Sequence, residues 1–145
     1  MSQAVDIVYE PEPLPETRAA ILEGLIAYNE RQTEGRYPPP RSIALGLRDP
    51  QTGRSVGGLT ARIAYSRMFV ELIFVPEHLR GQGLGAELIG RAEAVAREAG
   101  CTGIWLDTFS FQAPGFYEKL GYTEFGTLAD YPPGFTRHYL HKQLS

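Results

Sequence analysis

The chain has 145 residues, a length that predicts about one domain. Hydrophobic residues make up 43% and charged residues 21%, which excludes a disordered chain, a collagen-like repeat and a coiled-coil rod. The 14 Lys and Arg stand against 17 Asp and Glu, giving a net charge of −3, so we expect neither nucleic acid nor a membrane surface as a partner. The single cysteine, Cys101, excludes an internal disulfide framework and a multi-cysteine zinc site.

The first sixteen residues, MSQAVDIVYEPEPLPE, are acidic and interrupted by prolines. They have neither the basic region nor the apolar region of a signal peptide. No run of the sequence approaches the roughly 20 apolar residues that cross a bilayer. We therefore expect a cytoplasmic protein.

The spacing of apolar residues predicts strands and helices that alternate along the chain. Alternation predicts a first strand at residues 5–9, and helical spacing predicts a helix from Glu16 to about Gln32. Three strand-like runs follow at residues 43–47, 56–64 and 68–75, with turn-forming residues at 49–53. The pattern then predicts an amphipathic helix at 83–99, a strand at 103–107, a short helix at 113–120 and two final strands at 122–128 and 136–144.

The third of those runs, MFVELIFV, is apolar on both faces, as is typical of a central buried strand. Glu71 is its only charged residue. The glycine-rich segment Arg80-Gly81-Gln82-Gly83-Leu84-Gly85 follows and leads into the helix at 83–99. Closely spaced glycines let a backbone approach a ligand, and a helix N-terminus offers unpaired N–H groups and positive potential. The segment therefore predicts a phosphate or pyrophosphate site, and the alternative is a tight turn that binds nothing.

A dinucleotide-binding loop is one alternative for this segment, because Gly81, Gly83 and Ala86 fit the G-x-G-x-x-G/A pattern. Asp107, at the end of the next predicted strand, lies near the position expected for a ribose contact. Five residues separate the strand from Gly81, however, and the preceding strands read as hairpins, so a small NAD(P)-binding domain is disfavoured. The absence of Gly-Lys-Ser/Thr excludes a Walker A loop.

Two motifs resemble those of the GCN5-related N-acetyltransferases (GNAT). Residues 80–85, RGQGLG, resemble motif A of the family, R/Q-x-x-G-x-G/A, and residues 116–122, FYEKLGY, resemble its helix with a tyrosine followed by a glycine-aromatic pair. The order of elements is similar over essentially the whole chain. The resemblance implies an α/β (α+β) fold, with a mixed, mostly antiparallel sheet of about seven strands flanked by about four helices, formed by residues 1–145 as a single domain.

The resemblance also implies acetyl-CoA as the acyl donor, a small amine as the acceptor, no metal, and compatibility with a homodimer. In the family, motif A holds the cofactor pyrophosphate, which here means Arg80, Gly81, Gln82, Gly83, Leu84 and Gly85. Backbone N–H groups that match Phe74 and Val75 polarise the thioester carbonyl. The family often has an Asn that contacts the cofactor where this chain has Ser110.

Two residues are candidates for the proton transfers that amine acetylation needs. Tyr117 matches the family's cofactor-side tyrosine, which acts as the general acid; the alternative role is a core aromatic. Glu71 is the candidate base, or holder of a water that acts as the base, and the alternative is a structural ion pair with Arg62 or Arg67. We expect a buried, unreactive Cys101.

The sequence gives less information about the pocket for the acceptor amine. Candidates for lining this pocket are Tyr37, Tyr131 and Phe135. His138 and His141 are three residues apart on a predicted strand, so they are not expected to form a metal pair. A non-catalytic module that binds acyl-CoA, as a sensor or interaction partner, is the alternative to an enzyme.

Overall fold

The computed structural model describes residues 4–144, and its elements fall into two compact units, one running to Pro39 and one beginning at Pro40. The elements are, in chain order, α1 (Pro15–Gln32), β1 (Arg41–Arg48), β2 (Ser55–Ala64), β3 (Arg67–Phe74), a short 3₁₀ helix (Glu77–Leu79), α2 (Leu84–Glu98), β4 (Gly103–Phe109), α3 (Pro114–Lys119), β5 (Thr123–Ala129) and β6 (Thr136–Gln143). The described residues thus hold six strands and three α-helices, against the seven and four expected.

The first unit consists of α1 and the segment before it. Pro15 occupies the first turn of α1, where its missing N–H costs no hydrogen bond. The Glu10 carboxylate accepts hydrogen bonds from the Leu14 N–H at 3.0 Å and the Thr17 hydroxyl at 2.7 Å. These two bonds, the backbone one first, lower the pKa of Glu10.

The strand predicted at residues 5–9 is wrong, because the described residues there form neither strand nor helix. Local alternation is not enough for a strand, which also needs a neighbour with which to exchange backbone hydrogen bonds. The prolines at 11, 13 and 15 lack backbone N–H groups, so a strand could not be extended in that direction either. The remaining predicted elements are confirmed, with boundaries that differ by at most two residues.

The second unit is built on a sheet with the strand order β1-β2-β3-β4-β6-β5. All neighbours are antiparallel except β3 and β4, which are parallel and joined through α2. The mixed, mostly antiparallel sheet that was predicted is therefore confirmed. Its core lies between the sheet and α2, where every second strand residue meets the apolar side of the helix. Among the residues most completely buried there are Met68, Ile89, Ala92, Ile104 and Leu140.

The strands β3 and β4 separate halfway along their length. Their parallel pairing runs from Arg67 with Gly103 to Val70 with Leu106 and then stops. On the other side of β3, Thr60 pairs with Leu72 and Ala61 with Val70, so Glu71 is an extra, bulged residue. The expectation that β3 is buried throughout is wrong for this half, since Leu72 is 70% exposed and Phe74 56% exposed. Because β4 diverges, a wedge opens between the carboxyl ends of the two strands.

A buried polar cluster fixes α3 against the rest of the second unit. The Glu93 carboxylate of α2 accepts hydrogen bonds from the Tyr122 hydroxyl at 2.8 Å and from the Lys142 ammonium at 3.1 Å. Lys142 also donates to the Leu120 carbonyl at the end of α3, at 2.9 Å. Burial first, then the bond to Glu93 and its charge, raises the pKa of Tyr122 strongly, so the phenol stays protonated. The cluster thereby joins α2, α3 and β6.

Candidate active site

A cavity of about 1120 Å³ occupies the wedge between β3 and β4. Its walls come from five places: the second half of β3, the glycine-rich loop with the start of α2, the end of β4 with the turn after it, α3, and Arg137 of β6. All of these lie in the second unit. The topology therefore brings together segments that are up to 67 residues apart, from Val70 to Arg137, around one opening.

The glycine-rich loop forms the wall of the cavity at the N-terminus of α2. Gly81 and Gly83 have φ values of +81° and +78°, a left-handed conformation that favours glycine. Arg80 is held in place because its Nε donates to the Val75 carbonyl at 2.9 Å, which leaves both terminal nitrogens for a ligand. Gly85 packs closely against α3, since a Cβ there would lie 3.2 Å from the Phe116 ring, which would have to shift by a few tenths of an ångström. The loop can thus present N–H donors and a guanidinium to an anion.

Tyr117 of α3 also lines the cavity. The residue is 7% exposed and packs edge-on against Phe116 and Tyr122. Burial first, and the charge of Asp107 second, raise the pKa of its hydroxyl. That hydroxyl makes no hydrogen bond to any other residue among 4–144. It is therefore a protonated donor that has no protein partner and borders the cavity.

Glu71, the bulged residue of β3, also lines the cavity. It is exposed, and the ion pairs of the described residues include none between Glu71 and Arg62 or Arg67. The structural pairing that was the alternative for this carboxylate is thus not formed. A bulge re-aims a side chain, which explains how a charge in the middle of an apolar strand reaches the opening.

The lining of the cavity contains an ion pair that the sequence analysis did not predict. The Arg137 guanidinium of β6 contacts the Asp107 carboxylate of β4 at 2.8 Å and donates to the Tyr131 hydroxyl at 2.9 Å. The hydrogen bond to Asp107 is the main reason that the pKa of Arg137 is raised. The guanidinium also lies over the rings of Phe109, Tyr131 and Tyr139, at 4.9 to 5.4 Å. Its Nε is buried without a hydrogen-bond partner in the described structure.

Aromatic side chains extend from this ion pair to the surface. Phe109 and Phe111 stack with ring centroids 5.2 Å apart, and Phe135 meets Phe111 edge-on at 5.1 Å. Phe111, Tyr131 and Phe135 are each about half exposed. Of the aromatic residues expected on the acceptor side, Tyr131 and Phe135 do not line the cavity but contact its lining residues Arg137 and Phe111, whereas Tyr37 belongs to the first unit.

The turn between β4 and α3 contains Ser110, which matches a position that contacts the cofactor in the family, and Gln112, for which the sequence predicted no role. The Ser110 hydroxyl accepts from the Thr136 N–H at 3.0 Å and its own N–H donates to the Thr136 carbonyl at 2.8 Å, so it joins β4 to β6. It is not among the residues that line the cavity, and nor is Gln82. Gln112 does line the cavity, although no motif pointed to it.

The other predicted site residues all border this one cavity: Glu71, Phe74, Val75, Arg80, Gly81, Gly83, Leu84, Gly85 and Tyr117. The sequence analysis missed Arg137, Gln112 and the aromatic pair Phe109 and Phe111. Alternation on 103–109 could have placed Asp107 on the same face as Phe109, but no local signal links either residue to Arg137. No cluster of three or more potential metal-ligating side chains exists among residues 4–144. His138 instead contacts Glu124 at 3.0 Å.

The comparison with family models decides the classification. Residues 6–122 match the model of the acetyltransferase (GNAT) family. The chain belongs to this family. The GNAT fold and an acyltransferase activity that uses acetyl-CoA follow from that membership, and the dinucleotide-binding alternative is not supported.

Individual GNAT relatives agree with this classification. The chain is 46% identical over 95 residues to blasticidin-S acetyltransferase of Streptomyces morookaense, a match that covers 65% of this chain and 70% of the relative. It is 35% identical over 130 residues to the acetyltransferase Atu2258 of Agrobacterium fabrum, covering 89% and 92%. The crystal structure of an acetyltransferase from Bacillus cereus superposes with a TM-score of 0.80 at 32% identity, covering 94% of this chain and 98% of that one.

A search of residues 4–144 for membrane-spanning segments finds no helix of sufficient length and apolar character.

Proposed function

We propose that this GNAT enzyme transfers the acetyl group of acetyl-CoA to a primary amine of a small molecule by direct attack. The observation that carries the proposal is the wedge between β3 and β4, which has an anion-binding loop on one side and an unpartnered, protonated Tyr117 on the other. The loop at 80–85 would hold the pyrophosphate of acetyl-CoA, with Arg80 as its charged contact. The match of the family model to residues 6–122 runs through both compact units, which supports residues 1–145 acting as a single domain.

The chemistry assigns one role to each side of the wedge. Glu71, directly or through a water, takes a proton from the ammonium form of the acceptor, whose pKa is about 10 for an alkyl amine. The neutral nitrogen attacks the thioester carbonyl, while backbone N–H groups at Phe74 and Val75 stabilise the oxyanion. The carbon–sulfur bond then breaks, and the leaving thiolate receives the proton of Tyr117. The attacking nitrogen releases its second proton as the amide forms, and the transfer of this proton, through solvent, restores the Tyr117 hydroxyl.

The acceptor would enter beside the aromatic residues that surround Arg137. The Glu71 carboxylate lines the cavity without an ion pair among the described residues, which suits a cationic amine, whereas Asp107 is already paired with Arg137. The half-exposed ring of Phe111, with Phe135 packed against it, suits a flat or apolar portion of the same molecule. A relative 46% identical to this chain acts, by its name, on blasticidin S. We therefore include amine-bearing antibiotics in the proposed acceptor class.

The proposal is tested in two steps with the purified protein. Calorimetric titration with acetyl-CoA, with NAD and NADP as controls, should show selective binding of acetyl-CoA. The protein is then incubated with acetyl-CoA and each member of a panel of amines that includes blasticidin S. With an accepted amine, free coenzyme A thiol should be released and the mass of the amine should increase by one acetyl group. Binding without transfer to any amine would favour the non-catalytic acyl-CoA module, and failure to bind acetyl-CoA would overturn both.

The roles of Tyr117 and Arg80 are separated by one variant each. Tyr117→Phe should lower kcat and leave the Kd of acetyl-CoA nearly unchanged, since the hydroxyl bonds to no residue among 4–144 and its proposed role is confined to the transfer step. Arg80→Ala should raise the Kd of acetyl-CoA. Weakened cofactor binding with unchanged kcat in Tyr117→Phe would contradict the general-acid role.

A further inference from the structure

The helix that carries Tyr117 is too short to be stable by itself. α3 spans six residues, Pro114–Lys119, of which Tyr117 is the buried one. Isolated helices shorter than about 12 residues are marginal in water, because the first turn fixes several backbone dihedrals for a single hydrogen bond. The position of the Tyr117 ring therefore depends on contacts that hold α3 from outside.

The C-terminal turn of α3 is closed through the backbone of Tyr117. The Tyr117 carbonyl accepts hydrogen bonds from the Leu120 N–H at 3.0 Å and from the Tyr122 N–H at 3.1 Å. The last carbonyls of a helix have no donor within the helix and need one from elsewhere. For the Leu120 carbonyl that donor is the Lys142 ammonium of β6, at 2.9 Å. A strand thus caps the turn that contains the Tyr117 backbone.

The Lys142 ammonium is itself held in place by the buried carboxylate of α2. It donates to both oxygens of Glu93, at 3.1 and 3.2 Å, and Glu93 is 6% exposed. The lysine side chain also lies beside Gly121, in the turn after α3, since a Cβ at Gly121 would meet its last carbons and its nitrogen at 3.4 to 3.8 Å. The ammonium therefore holds the Leu120 carbonyl from a defined position.

We propose that Lys142 is a positioning residue for the acid of the reaction, because it holds the C-terminal turn of α3 and thereby keeps the Tyr117 hydroxyl at the cavity. This inference rests on the proposed function, in which that hydroxyl protonates the leaving thiolate. Lys142 is not among the residues that line the cavity, so its effect on the reaction passes through α3. A displacement of about 1 Å can cost about 10²-fold in rate, so a loosened α3 should slow the transfer step.

The first test is a double-mutant cycle on kcat. Lys142→Met should lower kcat about 10-fold, while the KM of the amine and the Kd of acetyl-CoA stay within about twofold. In the Tyr117→Phe background the same substitution should change kcat by less than about twofold, because the hydroxyl that it positions is already gone. Equal fold losses in the two backgrounds would overturn the inference, and so would a loss that appears in KM and not in kcat.

Two matched controls each remove a different partner of the Glu93 carboxylate. Tyr122→Phe removes the hydroxyl at 2.8 Å and Arg97→Met removes the guanidinium at 3.9 Å, and neither side chain donates to the Leu120 carbonyl. Both should keep kcat within about twofold of the wild type, below their unfolding temperatures. A fall in either control equal to that of Lys142→Met would assign the effect to the stability of the cluster and overturn the positioning role.

A second pair of variants covers the case in which Lys142→Met does not fold. Glu93→Gln keeps an oxygen for Lys142 and Tyr122 but carries no charge, so the further change Lys142→Met leaves no buried carboxylate without its cation. The double variant should have a kcat about 10-fold below that of Glu93→Gln alone. Equal kcat values in these two proteins would overturn the inference.

Hydrogen exchange provides a readout that needs no substrate. The amides of Leu120 and Tyr122, which bond to the Tyr117 carbonyl, should exchange about 10-fold faster in Lys142→Met than in the wild type, relative to amides in the middle of α2. Uniform acceleration along the chain, as a general loss of stability produces, would overturn the inference, and so would unchanged exchange at both amides.

The exchange readout separates this inference from the proposed function. A wild-type protein that acetylates no amine would refute the proposed function, and exchange alone would then decide whether Lys142 holds α3. Wild-type kcat in Tyr117→Phe would refute the acid role and the inference together. Unchanged exchange with an active enzyme would refute the inference and leave the proposed function in place.

Discussion

Tyr117 and Tyr122 are five residues apart, and the structure predicts opposite consequences when each loses its hydroxyl. The Tyr122 hydroxyl donates to the buried Glu93 carboxylate at 2.8 Å, whereas the Tyr117 hydroxyl borders the cavity and bonds to no described residue. The Tyr→Phe change removes one oxygen from each and keeps the ring, so the aromatic contact between the two residues, at 6.1 Å, is retained.

The expected loss of stability follows from the bonds that are removed. A hydrogen bond to a charged group contributes about 1.5–3 kcal/mol. In Tyr122→Phe, Glu93 still has the Lys142 ammonium at 3.1 Å, so the carboxylate is not left alone and the lower part of the range, about 1.5–2 kcal/mol, applies. At roughly 2–4 °C per kcal/mol for a chain of this size, Tm should fall by about 3–8 °C. Tyr117→Phe removes no bond, and we expect its stability to stay within about 0.5 kcal/mol of the wild type.

The assay measures both quantities for both variants. Thermal and denaturant unfolding give the free energy of unfolding, and initial rates below the unfolding range give kcat. Tyr117→Phe should lose about 100-fold in kcat, the lower end of what a general acid contributes, while Tyr122→Phe keeps nearly the wild-type value. Equal stability losses in the two variants, or equal losses of kcat, would refute the division of roles between the two hydroxyls.

Other predictions use different parts of the site. Gly85→Ala should lower kcat several-fold, because its Cβ would lie 3.2 Å from the Phe116 ring beside Tyr117, whereas Gly90→Ala in the same helix meets nothing within 4 Å and should gain about 0.5–1 kcal/mol by thermal unfolding. Since burial raises the pKa of Tyr117 above its ordinary value, the acid stays protonated, and kcat measured against pH should show no descending limb below about pH 10; a limb at pH 8 would exclude this tyrosine as the titrating acid. Cys101 is 6% exposed and burial raises its pKa, so a thiol reagent such as a disulfide dye should react with the native protein far more slowly than with the unfolded one.

The periodicity of the sequence was sufficient to predict most of the fold. Strands β1 to β6 and the three helices carry local patterns of alternation or helical spacing, and prolines and glycines mark their ends, which explains boundaries that are correct to within two residues. The strand expected at residues 5–9 shows where this reasoning stops. An alternating pentapeptide satisfies the local condition for a strand, but the sequence does not state whether a partner strand is available.

The parts of the site that are formed by short consecutive motifs could be predicted from the sequence. The parts that are formed by contacts between neighbouring strands could not, because these contacts depend on the register of the sheet. The loop at 80–85 and Tyr117 come from short motifs, and both border the cavity. The pairing of Asp107 with Arg137 joins residues 30 positions apart through the register of β4 and β6, in which Asp107 lies opposite Tyr139 and Phe109 opposite Arg137. Gln112 was missed because a glutamine in a predicted turn does not by itself indicate a site. Only the structure shows that it lines the cavity and that its oxygen accepts hydrogen bonds from Thr108 and Phe109.

The buried polar cluster and the ion pair of the cavity are both attached to β6, and together they restrict how that strand can pair during folding. Arg137 and Lys142 lie on opposite faces of β6, one reaching Asp107 and the other Glu93. A shift of one residue against β4 would turn both side chains to the wrong face at once. Asp107 would then lose its ion-pair partner, and the buried Glu93 would lose the Lys142 ammonium and keep only the Tyr122 hydroxyl and the more distant Arg97 guanidinium. Misregistered intermediates are therefore penalised twice, so the two ion pairs give this strand a means of selecting its native alignment before the final packing is complete.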